Sequence, residues 1–545
     1  MTPTDGERRA IQLAWIVAAI ILVAAGALRF HDLEHNPPGL WQDEASTGVD
    51  AYLIWHTGKD RAGDFLPVIS RSFGDYPLAL YRYLTAPIMG LFGMTIAHQR
   101  WVSAFAGVSL LLSTFVFARR SLGVGVGLGA LLSGALTPTW IHFSRYGSEA
   151  ILLPATLMGG LALFEVARGT RRYAWAWVAA FVLGASAYTY HAVKLFLPLW
   201  MLPFLWYQWP LVRELWTTRR RHVIGPAVVF ALSVLPSIIA ALTPEGMARG
   251  RTVAAWAHTS GADLVRVVLN NYLTYFEPAM LFIHGGPAVA QSIPGLGIWS
   301  LMDLPLIVAG LVVAFRRFGQ HRAYGLILVW FVLGPIPGGI TYEEHNIGRV
   351  IGWLPAAQLL SGVGLAALVA WVQSTLAQRR ALPSAAALLV LVALVAGWSA
   401  TAVHTARLTL LRYPIVTERD WQFEVSRALL CAKQKRADRH LVVSPSFSAA
   451  EIFALFHLSE LPVDAKGNKA WSLAHRSRVG PDELYALTAQ DTQPPNGAVV
   501  CEIKQLTTGE TKAWVLEAKP APKAEAIPVP LKLAPRVQPT GEHLP

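Results

Sequence analysis

Long apolar runs set the pattern of the first 403 residues. A helix needs about 20 mostly apolar residues to cross a bilayer, and eleven runs approach that length. They begin near Ile11, Gln99, Leu122, Ala150, Tyr173, Lys194, Val223, Ser300, Tyr324, Gly348 and Pro383. The runs predict an α-helical polytopic membrane protein with about 11 transmembrane helices. A porin-type barrel is excluded, because its strands would alternate polar and apolar residues over about 10 positions.

The first run allows a second interpretation. Arg8, Arg9, the apolar stretch and the Ala25-Gly26-Ala27 triplet resemble a cleavable signal peptide. The apolar stretch of about 17 residues exceeds the roughly 7–15 of a signal peptide, which favours a retained span.

Two long segments between spans, 30–98 and 243–299, carry helical patterns of their own. From Pro77 to Pro87 the first segment is too short and too polar to span, and its tyrosines predict a helix at the membrane interface. In the second, apolar residues from Asp263 to Phe276 have helical spacing, and we expect this helix to lie on the surface.

A different pattern begins at His404. Trp421 to Leu430 and Ala449 to Leu458 read as helices, whereas His440–Val443 and Gly497–Cys501 read as short strands. The chain therefore divides into a membrane domain at 1–403, a small α/β domain at 404–517 and a tail at 518–545. The tail is rich in Pro, Ala and Lys, which predicts disorder.

Composition and charge sharpen this picture. Of 545 residues, 54% are hydrophobic and 15% are charged, which excludes a soluble enzyme and a disordered chain. The net charge of +12 does not indicate a nucleic-acid partner, because much of the excess is Arg at the ends of spans.

The arginines predict an orientation. Sixteen of them lie before the first span and on one alternating set of short loops, and the positive-inside rule places that set in the cytoplasm. The N-terminus is then cytoplasmic and the α/β domain extracytoplasmic, in a multi-pass protein of the inner (plasma) membrane.

The two cysteines, Cys431 and Cys501, both fall in this exterior domain. An oxidising compartment favours a disulfide, and two buried thiols are the alternative.

Two acids, Asp43 and Glu44, follow closely on the first span. A solvated acidic pair at the membrane surface is the simpler interpretation. If the segment is helical, adjacent residues point about 100° apart, so the two carboxylates would not flank one bond. One acid acting as a base with the other as its structural partner fits better.

Three cations lie on exterior short loops, where the positive-inside rule disfavours them: Arg145, Lys194 and Arg349. Ion pairing within the helix bundle would explain them. The functional alternative is an anionic ligand, and a phosphate matches the Arg fork well.

Histidines also cluster at the outer face, at His31, His35, His56, His142, His191, His284 and His345. The i, i+4 pair of His31 and His35 could hold a metal, but no strict ligand motif accompanies it. Hydrogen bonding at the interface or to an acceptor is favoured, and we expect no metal and no cofactor.

In order along the chain, several loose motifs resemble the family-39-type glycosyltransferases of the GT-C fold. After the apolar first span and the exterior Asp43-Glu44 come the tyrosine-rich interfacial segment, Phe92-Gly93, and the run from Arg100 to Gly107. Phe143-Ser144-Arg145 and the run from Gly334 to Ile340 follow. Protein O-mannosyltransferases and aminoarabinose-lipid A transferases are members. The resemblance covers roughly Ala14 to Leu365.

The resemblance implies an inverting glycosyltransferase that moves a hexose or pentose from a polyprenyl-phosphate donor to an acceptor hydroxyl at the outer membrane face. The acceptor would be a protein, a lipid or a glycan. Asp43 matches the catalytic Asp of the family, Glu44 its acidic neighbour, and Arg145 an Arg near the donor. With Lys194, Arg349 and Arg82, Arg145 forms the expected phosphate-binding set.

One departure concerns the interfacial segment, where relatives often carry a Lys or His and this chain has Pro77. Arg71 and Arg82 are the candidates to replace that cation. We further expect Asp75, Tyr81, His191 and His345 to contact substrate.

Two other classes remain open from the sequence. A transporter would place ionisable residues near the bilayer midplane, often in repeated halves, whereas here they lie at the outer ends of spans and no repeat is visible. A non-catalytic envelope assembly protein with an exterior domain is the other.

Overall fold

The computed structural model describes residues 5–378, 381–436, 439–458 and 470–519. Its α-helices are α1 Asp5–Phe30, α2 Gln42–Thr57, α3 Leu80–Phe92, α4 Ile96–Ser121, α5 Val124–Leu136, α6 Pro138–Phe143, α7 Leu152–Thr170, α8 Ala174–Ala185, α9 Val193–Thr218, α10 Arg221–Ala241, α11 Pro244–Val253, α12 Gly261–Thr274, α13 Asp303–Arg316, α14 Arg322–Leu333, α15 Ile336–Gly339, α16 Ile347–Val350, α17 Leu354–Ala377, α18 Ala381–Arg407, α19 Tyr413–Val416, α20 Phe423–Lys435 and α21 Ala450–Leu458. The strands are β1 His440–Val443, β2 Trp471–Leu473, β3 Glu483–Thr488, β4 Gly497–Lys504 and β5 Thr511–Ala518.

Every predicted span coincides with a helix, and the polytopic α-helical fold is confirmed. Within the described residues, eight helices are long and apolar enough to cross a membrane. The remaining three predicted spans correspond to the shorter helices α5, α8 and α13.

Glycines allow close helix packing inside the membrane domain. A Cβ on Gly310 of α13 would lie 2.0 Å from the carbonyl oxygen of Leu360 in α17. A Cβ on Gly364 of α17 would lie 1.9 Å from the carbonyl oxygen of Leu306 in α13. Small residues let helix backbones approach closely where lipid supplies no hydrophobic drive for association.

Both predicted surface helices are present. The interfacial segment forms α3, which buries Tyr81, Thr85 and Met89 and exposes Leu84 and Leu91. The second is α12, which exposes Val265, Leu269 and Leu273 along one face. The i, i+4, i+8 spacing of these three residues gives the apolar stripe expected of an interfacial helix.

The C-terminal region contains a five-stranded sheet of order β2-β1-β3-β5-β4. β1 pairs in parallel with β2 and β3, whereas β5 pairs antiparallel with β3 and β4. Helices α20 and α21 and strands β1 and β4 agree with the sequence pattern, and β2, β3 and β5 were not predicted. The predicted disordered tail lies outside the described residues from position 520 onward.

The sheet region packs directly on the membrane domain through one shared apolar core. That core combines Ala45 and Val49 of α2 with Leu429 of α20 and Phe453 and Phe456 of α21. A Cβ on Gly48 of α2 would lie 2.5 Å from the Phe456 ring. The α/β region therefore supports the helix that carries Asp43 and Glu44.

Candidate active site at the junction of two cavities

Helix α2 begins one residue before Asp43. Trp41 is its N-cap residue, and the Trp41 backbone N–H donates to Glu44 Oε2 at 2.9 Å, as in a capping box. Asp43 and Glu44 therefore occupy the first turn, where the helix dipole favours negative charge.

Glu44 is bound by other residues of the protein and makes structural contacts. Its carboxylate accepts hydrogen bonds from Arg100 Nε at 3.0 Å and Arg100 Nη2 at 3.1 Å, and from the Gly147 N–H at 2.6 Å. Glu44 is 1% exposed and Arg100 is fully buried. With its oxygens engaged by fixed donors, Glu44 fits the structural-partner role of the acidic pair.

Asp43 instead faces a cavity of about 280 Å³, the polar cavity, and keeps exposed surface. Its walls come from α2, the loop before α3 and α3 itself, the α6–α7 and α8–α9 connections, α11, the loop after α12, and α16. Charged residues of the wall are Asp43, Glu44, Asp75, Arg82, Glu149 and Arg249; others are Trp41, Thr47, Ser72, Pro77, Tyr146, Ser148, Tyr190 and Gln291. Four acids, Asp43, Glu44, Asp75 and Glu149, and two arginines, Arg82 and Arg249, therefore line one small volume.

Arg82, near the start of α3 and five residues after Pro77, lies in the wall of the polar cavity. Its Nε donates to Asp50 Oδ2 at 3.1 Å, and the side chain is 2% exposed. Its Nη2 is buried without a hydrogen-bond partner among the residues that the structure describes. A buried, unpaired guanidinium N–H is costly, so this atom is available to an anionic group in the cavity.

A second cavity of about 440 Å³, the cationic cavity, adjoins the first. Its cationic and titratable lining residues are His191, Lys194, Arg249, Arg251 and Arg349. Apolar lining residues include Leu195, Ala241, Met247, Val253, Ala254, Trp256, Pro337 and Ile340. Apolar walls with several cations suit a ligand that combines a lipid chain with a phosphate.

Two of these cations, Lys194 and Arg349, are held by hydrogen bonds to the protein. Lys194 Nζ donates to the Gly246 carbonyl at 2.6 Å. Arg349 is 6% exposed and donates to Thr341 Oγ1 at 2.8 Å and to Glu343 Oε2 at 2.5 Å. Fixed cations need little rearrangement when a charge develops beside them.

Two residues, Arg249 and Tyr190, line both cavities. Arg249 forms an ion pair with Asp75 of the polar cavity, and His191 Nε2 lies 3.4 Å from the other Asp75 oxygen. Burial would raise the pKa of Asp75, but the contact with His191 and the charge of Arg249 hold it well below its usual range. Burial lowers the pKa of His191 despite Asp75, so at neutral pH the imidazole is uncharged and Arg249 balances Asp75.

The environment of Asp43 makes it a stronger base than a fully solvated aspartate. The protein packed around it raises its pKa by desolvation, and the negative charge of Asp75 acts in the same direction. The hydrogen bond from Trp41 and the charges of Arg249 and Arg82 oppose this without reversing it. A raised pKa makes the ionised carboxylate a better proton acceptor.

Two predicted site residues lie away from both cavities. Arg145 is buried, and its guanidinium donates to the backbone carbonyls of Leu28 at 2.5 Å, His31 at 2.7 Å and Asn36 at 3.1 Å. It therefore ties the end of α1 to the segment that leads to α2, and the phosphate role expected of it finds no support. Tyr81 is also buried, and its hydroxyl donates to the carbonyl of Gln99 at 2.8 Å.

His345, another predicted substrate contact, lines a separate cavity of about 450 Å³ with Glu277 and His284. Its Nε2 lies 3.5 Å from Glu277 Oε2. The described structure thus brings together at the joined cavities Asp43, Glu44, Asp75, Arg82, His191, Lys194 and Arg349, and leaves Arg145, Tyr81 and His345 outside them.

The sequence did not single out Arg249, Arg251, Glu149 or Tyr190. Arg249 and Arg251 belong to the long segment 243–299, which is predicted to be exterior, and for a long segment the positive-inside rule gives no signal. Glu149 follows Arg145 by four residues and Tyr190 directly precedes His191, so proximity in sequence to predicted residues was the available signal.

In the α/β region, Cys431 and Cys501 are joined as a disulfide, with Cα atoms 6.7 Å apart. Among the described residues, no group of three or more His, Cys, Asp or Glu side chains could hold a metal ion.

The fold is similar to that of known membrane proteins. ArnT from Cupriavidus metallidurans in the apo state matches with a TM-score of 0.53 and 13% identity, over 93% of this chain and 98% of that chain. ArnT bound to undecaprenyl phosphate gives a TM-score of 0.50 and 14% identity, over 92% and 97%. The apo oligosaccharyltransferase of Archaeoglobus fulgidus gives 0.48 and 12%, over 81% and 64%.

No protein-family model matches the chain, and no curated protein matches its sequence significantly. The similarity to ArnT, an aminoarabinose transferase, extends over nearly the whole of both chains. The GT-C fold predicted from the sequence is thereby confirmed.

Proposed function

We propose that this chain is a membrane glycosyltransferase that moves a sugar from a polyprenyl-phosphate donor to an acceptor hydroxyl with inversion. The observation that carries the proposal is the junction of the two cavities at Arg249. On one side lie apolar walls and cations, and on the other lies the carboxylate of Asp43. The fold supports the same conclusion, since ArnT has been seen with undecaprenyl phosphate bound.

In this proposal the donor phosphate occupies the cationic cavity. Lys194, Arg249 and Arg349 surround the phosphate, and the apolar walls hold the first part of the lipid chain. The sugar then extends past Arg249 and Tyr190 into the polar cavity. Relatives often carry a Lys or His at the position of Pro77. In this chain Arg82, with its unpaired Nη2, supplies that positive charge instead.

Asp43 acts as the general base. It takes the proton of the acceptor hydroxyl while the hydroxyl oxygen bonds to the anomeric carbon, and such assistance is typically worth about 10²–10⁴-fold. The bond from the anomeric carbon to the phosphate oxygen breaks at the same time. The phosphate leaves with that electron pair, so the products are the glycosylated acceptor and the free polyprenyl phosphate.

The cations stabilise the charge that develops on the leaving phosphate. Fixed donors in a partly dry cavity are already oriented when the charge appears, which lowers the barrier. Asp75 has a supporting role, because it pairs with Arg249 and contacts His191.

We place the reaction at the outer membrane face, with the N-terminus cytoplasmic and the α/β domain outside. The arginine distribution supports this orientation. A protein, a lipid or a glycan could supply the acceptor hydroxyl.

Mass spectrometry of lipid that copurifies with the protein tests the donor. We expect a polyprenyl phosphate or a polyprenyl-phosphate sugar, and the headgroup would identify the sugar. The Arg249→Ala variant should carry much less of it, and Arg266→Ala, an exposed cation of α12, should carry as much as wild type. Equal lipid in all three, or no polyprenyl lipid in any, would overturn the donor assignment.

A further inference from the structure

The α/β region reaches the first turn of α2 through one side chain. Gln422 Oε1 accepts the backbone N–H of Gln42, the residue before Asp43, at 3.0 Å. Gln422 Nε2 donates to Ser448 Oγ at 3.0 Å, so the same amide is held by the loop that precedes α21. A residue 380 positions away in sequence thus binds the beginning of the Asp43 helix.

The first turn of a helix needs such a partner. Its leading N–H groups have no carbonyl within the helix to bond to, and unpaired ends fray. Gln422 supplies an acceptor for the first of these groups, at Gln42. The direction of the Asp43 side chain depends on the backbone of this same turn.

The backbone of Gln422 is itself unusual. Its φ of 48° and ψ of 39° lie in the left-handed region, which glycine adopts readily and glutamine does not. Residues held in this conformation persist only where the surrounding structure requires them, and they cluster at functional sites. Glycine would relieve the backbone, but it would remove the bond to Gln42.

The contacts around Gln422 leave little room for movement. A Cβ on Gly39 would lie 2.1 Å from the carbonyl oxygen of Trp421. The ring of Trp421, fully buried, lies edge-on to Trp41 with centroids 6.1 Å apart. The segment that enters α2 is therefore packed against the residues on each side of Gln422.

We propose that Gln422 is a positioning residue for Asp43, whose amide oxygen fixes the first turn of α2 and aims the carboxylate into the polar cavity. This inference rests on the proposed function, in which Asp43 is the base. A displacement of about 1 Å at a reacting group can cost roughly 10²-fold in rate, so a bond that holds this turn affects the chemical step. The donor phosphate lies in the cationic cavity and does not depend on it.

The test compares purified variants in single-turnover transfer from a synthetic polyprenyl-phosphate sugar. Gln422→Gly removes the acceptor and relieves the backbone, so we expect a rate at least about tenfold lower, unchanged donor affinity and a melting temperature within a few degrees of wild type. Gln422→Glu keeps a side-chain oxygen that can accept the Gln42 N–H. It should therefore transfer at most of the wild-type rate at a pH where the new carboxylate at position 422 and that of Asp43 are both ionised. Gln490→Gly, the same replacement on an exposed turn of the α/β region, is the control and should transfer normally.

A normal rate in Gln422→Gly, or an equal loss in Gln422→Gly and Gln422→Glu, would overturn the inference. So would a loss of transfer rate that only follows a fall in melting temperature.

Asp43→Asn is measured in parallel to separate the positioning role of Gln422 from the base role of Asp43. If Asp43→Asn is inactive and Gln422→Gly is normal, the positioning role alone fails; if Asp43→Asn transfers normally, the base assignment fails and the positioning role with it.

Discussion

Arg249 donates a charge-assisted hydrogen bond to Asp75 where the polar cavity meets the cationic cavity. Asp75 keeps its negative charge over the whole physiological range, because its pKa is held well below the usual value. The pair therefore holds the guanidinium at the boundary, where the proposed donor would meet it with both its phosphate and its sugar. This relationship makes Arg249 the cation on which donor binding should depend most.

We expect Arg249→Ala to weaken donor binding about 10- to 100-fold, since a hydrogen bond to a charged group contributes roughly 1.5–3 kcal/mol. Arg249→Lys should recover only part of this, because Lys lacks the planar fork. Titration with a synthetic polyprenyl-phosphate sugar measures the affinity, and Arg266→Ala is the matched control. An unchanged affinity in Arg249→Ala would remove Arg249 from the donor site.

Arg145 and Arg349 should differ when each is replaced by Ala. Arg349 lines the cationic cavity, so Arg349→Ala should lower donor affinity. Arg145 bonds three backbone carbonyls, so Arg145→Ala should cost about 1.5–3 kcal/mol of stability and leave the affinity of the folded protein unchanged. Thermal unfolding and donor titration of both variants separate the two effects, and a lower donor affinity in folded Arg145→Ala would contradict this division.

Glu44→Gln should act on stability more than on chemistry. It breaks the buried ion pair with Arg100, which should cost roughly 3 kcal/mol. Glu214→Gln removes the exposed pair with Arg171, which solvent screens, so stability should hardly change and this variant is the control. The transfer rate per folded molecule should fall much less in Glu44→Gln than in Asp43→Asn; equal losses would give Glu44 a direct role in the reaction.

The pH dependence of transfer should follow the ionisation of Asp43. The base must be deprotonated, so the rate falls as pH decreases through the pKa of Asp43. Because that pKa is raised, the acidic limb should lie above the pH of about 3.9 expected of an ordinary aspartate. Single-turnover rates across pH measure this limb, with donor affinity followed in parallel to correct for binding. A limb at or below the ordinary value would contradict the environment described for Asp43.

The Cys431–Cys501 bridge tests the orientation of the chain. If the α/β domain is extracytoplasmic, non-reducing mass spectrometry of protein from membranes should find the two residues linked. The bridge closes a separation of 70 residues, so replacing both by Ser should cost up to about 4 kcal/mol. Two free thiols, or a reporter fused after Val515 that maps to the cytoplasm, would argue against the proposed orientation.

Hydropathy alone located the membrane helices, because a span must satisfy its backbone internally and be apolar over about 20 residues. The strands β3 and β5 were missed, since short strands that pair with distant segments leave a weak local signal. The place of Asp43 after the first span made it a candidate, and the structure puts it on the polar cavity; its role as the base stays a prediction. The sequence could not show that Arg145 and Arg349 have different roles, because the backbone carbonyls that bind Arg145 come together only in the folded chain.

The Asp43→Asn variant provides the most direct test of the central claim. Asparagine keeps the size and most hydrogen-bond geometry of the side chain but cannot accept the acceptor's proton. In single-turnover transfer from a synthetic polyprenyl-phosphate sugar, the rate should fall by roughly 10²-fold or more while donor affinity is retained. Near-normal transfer by folded Asp43→Asn protein would contradict the assignment of Asp43 as the base.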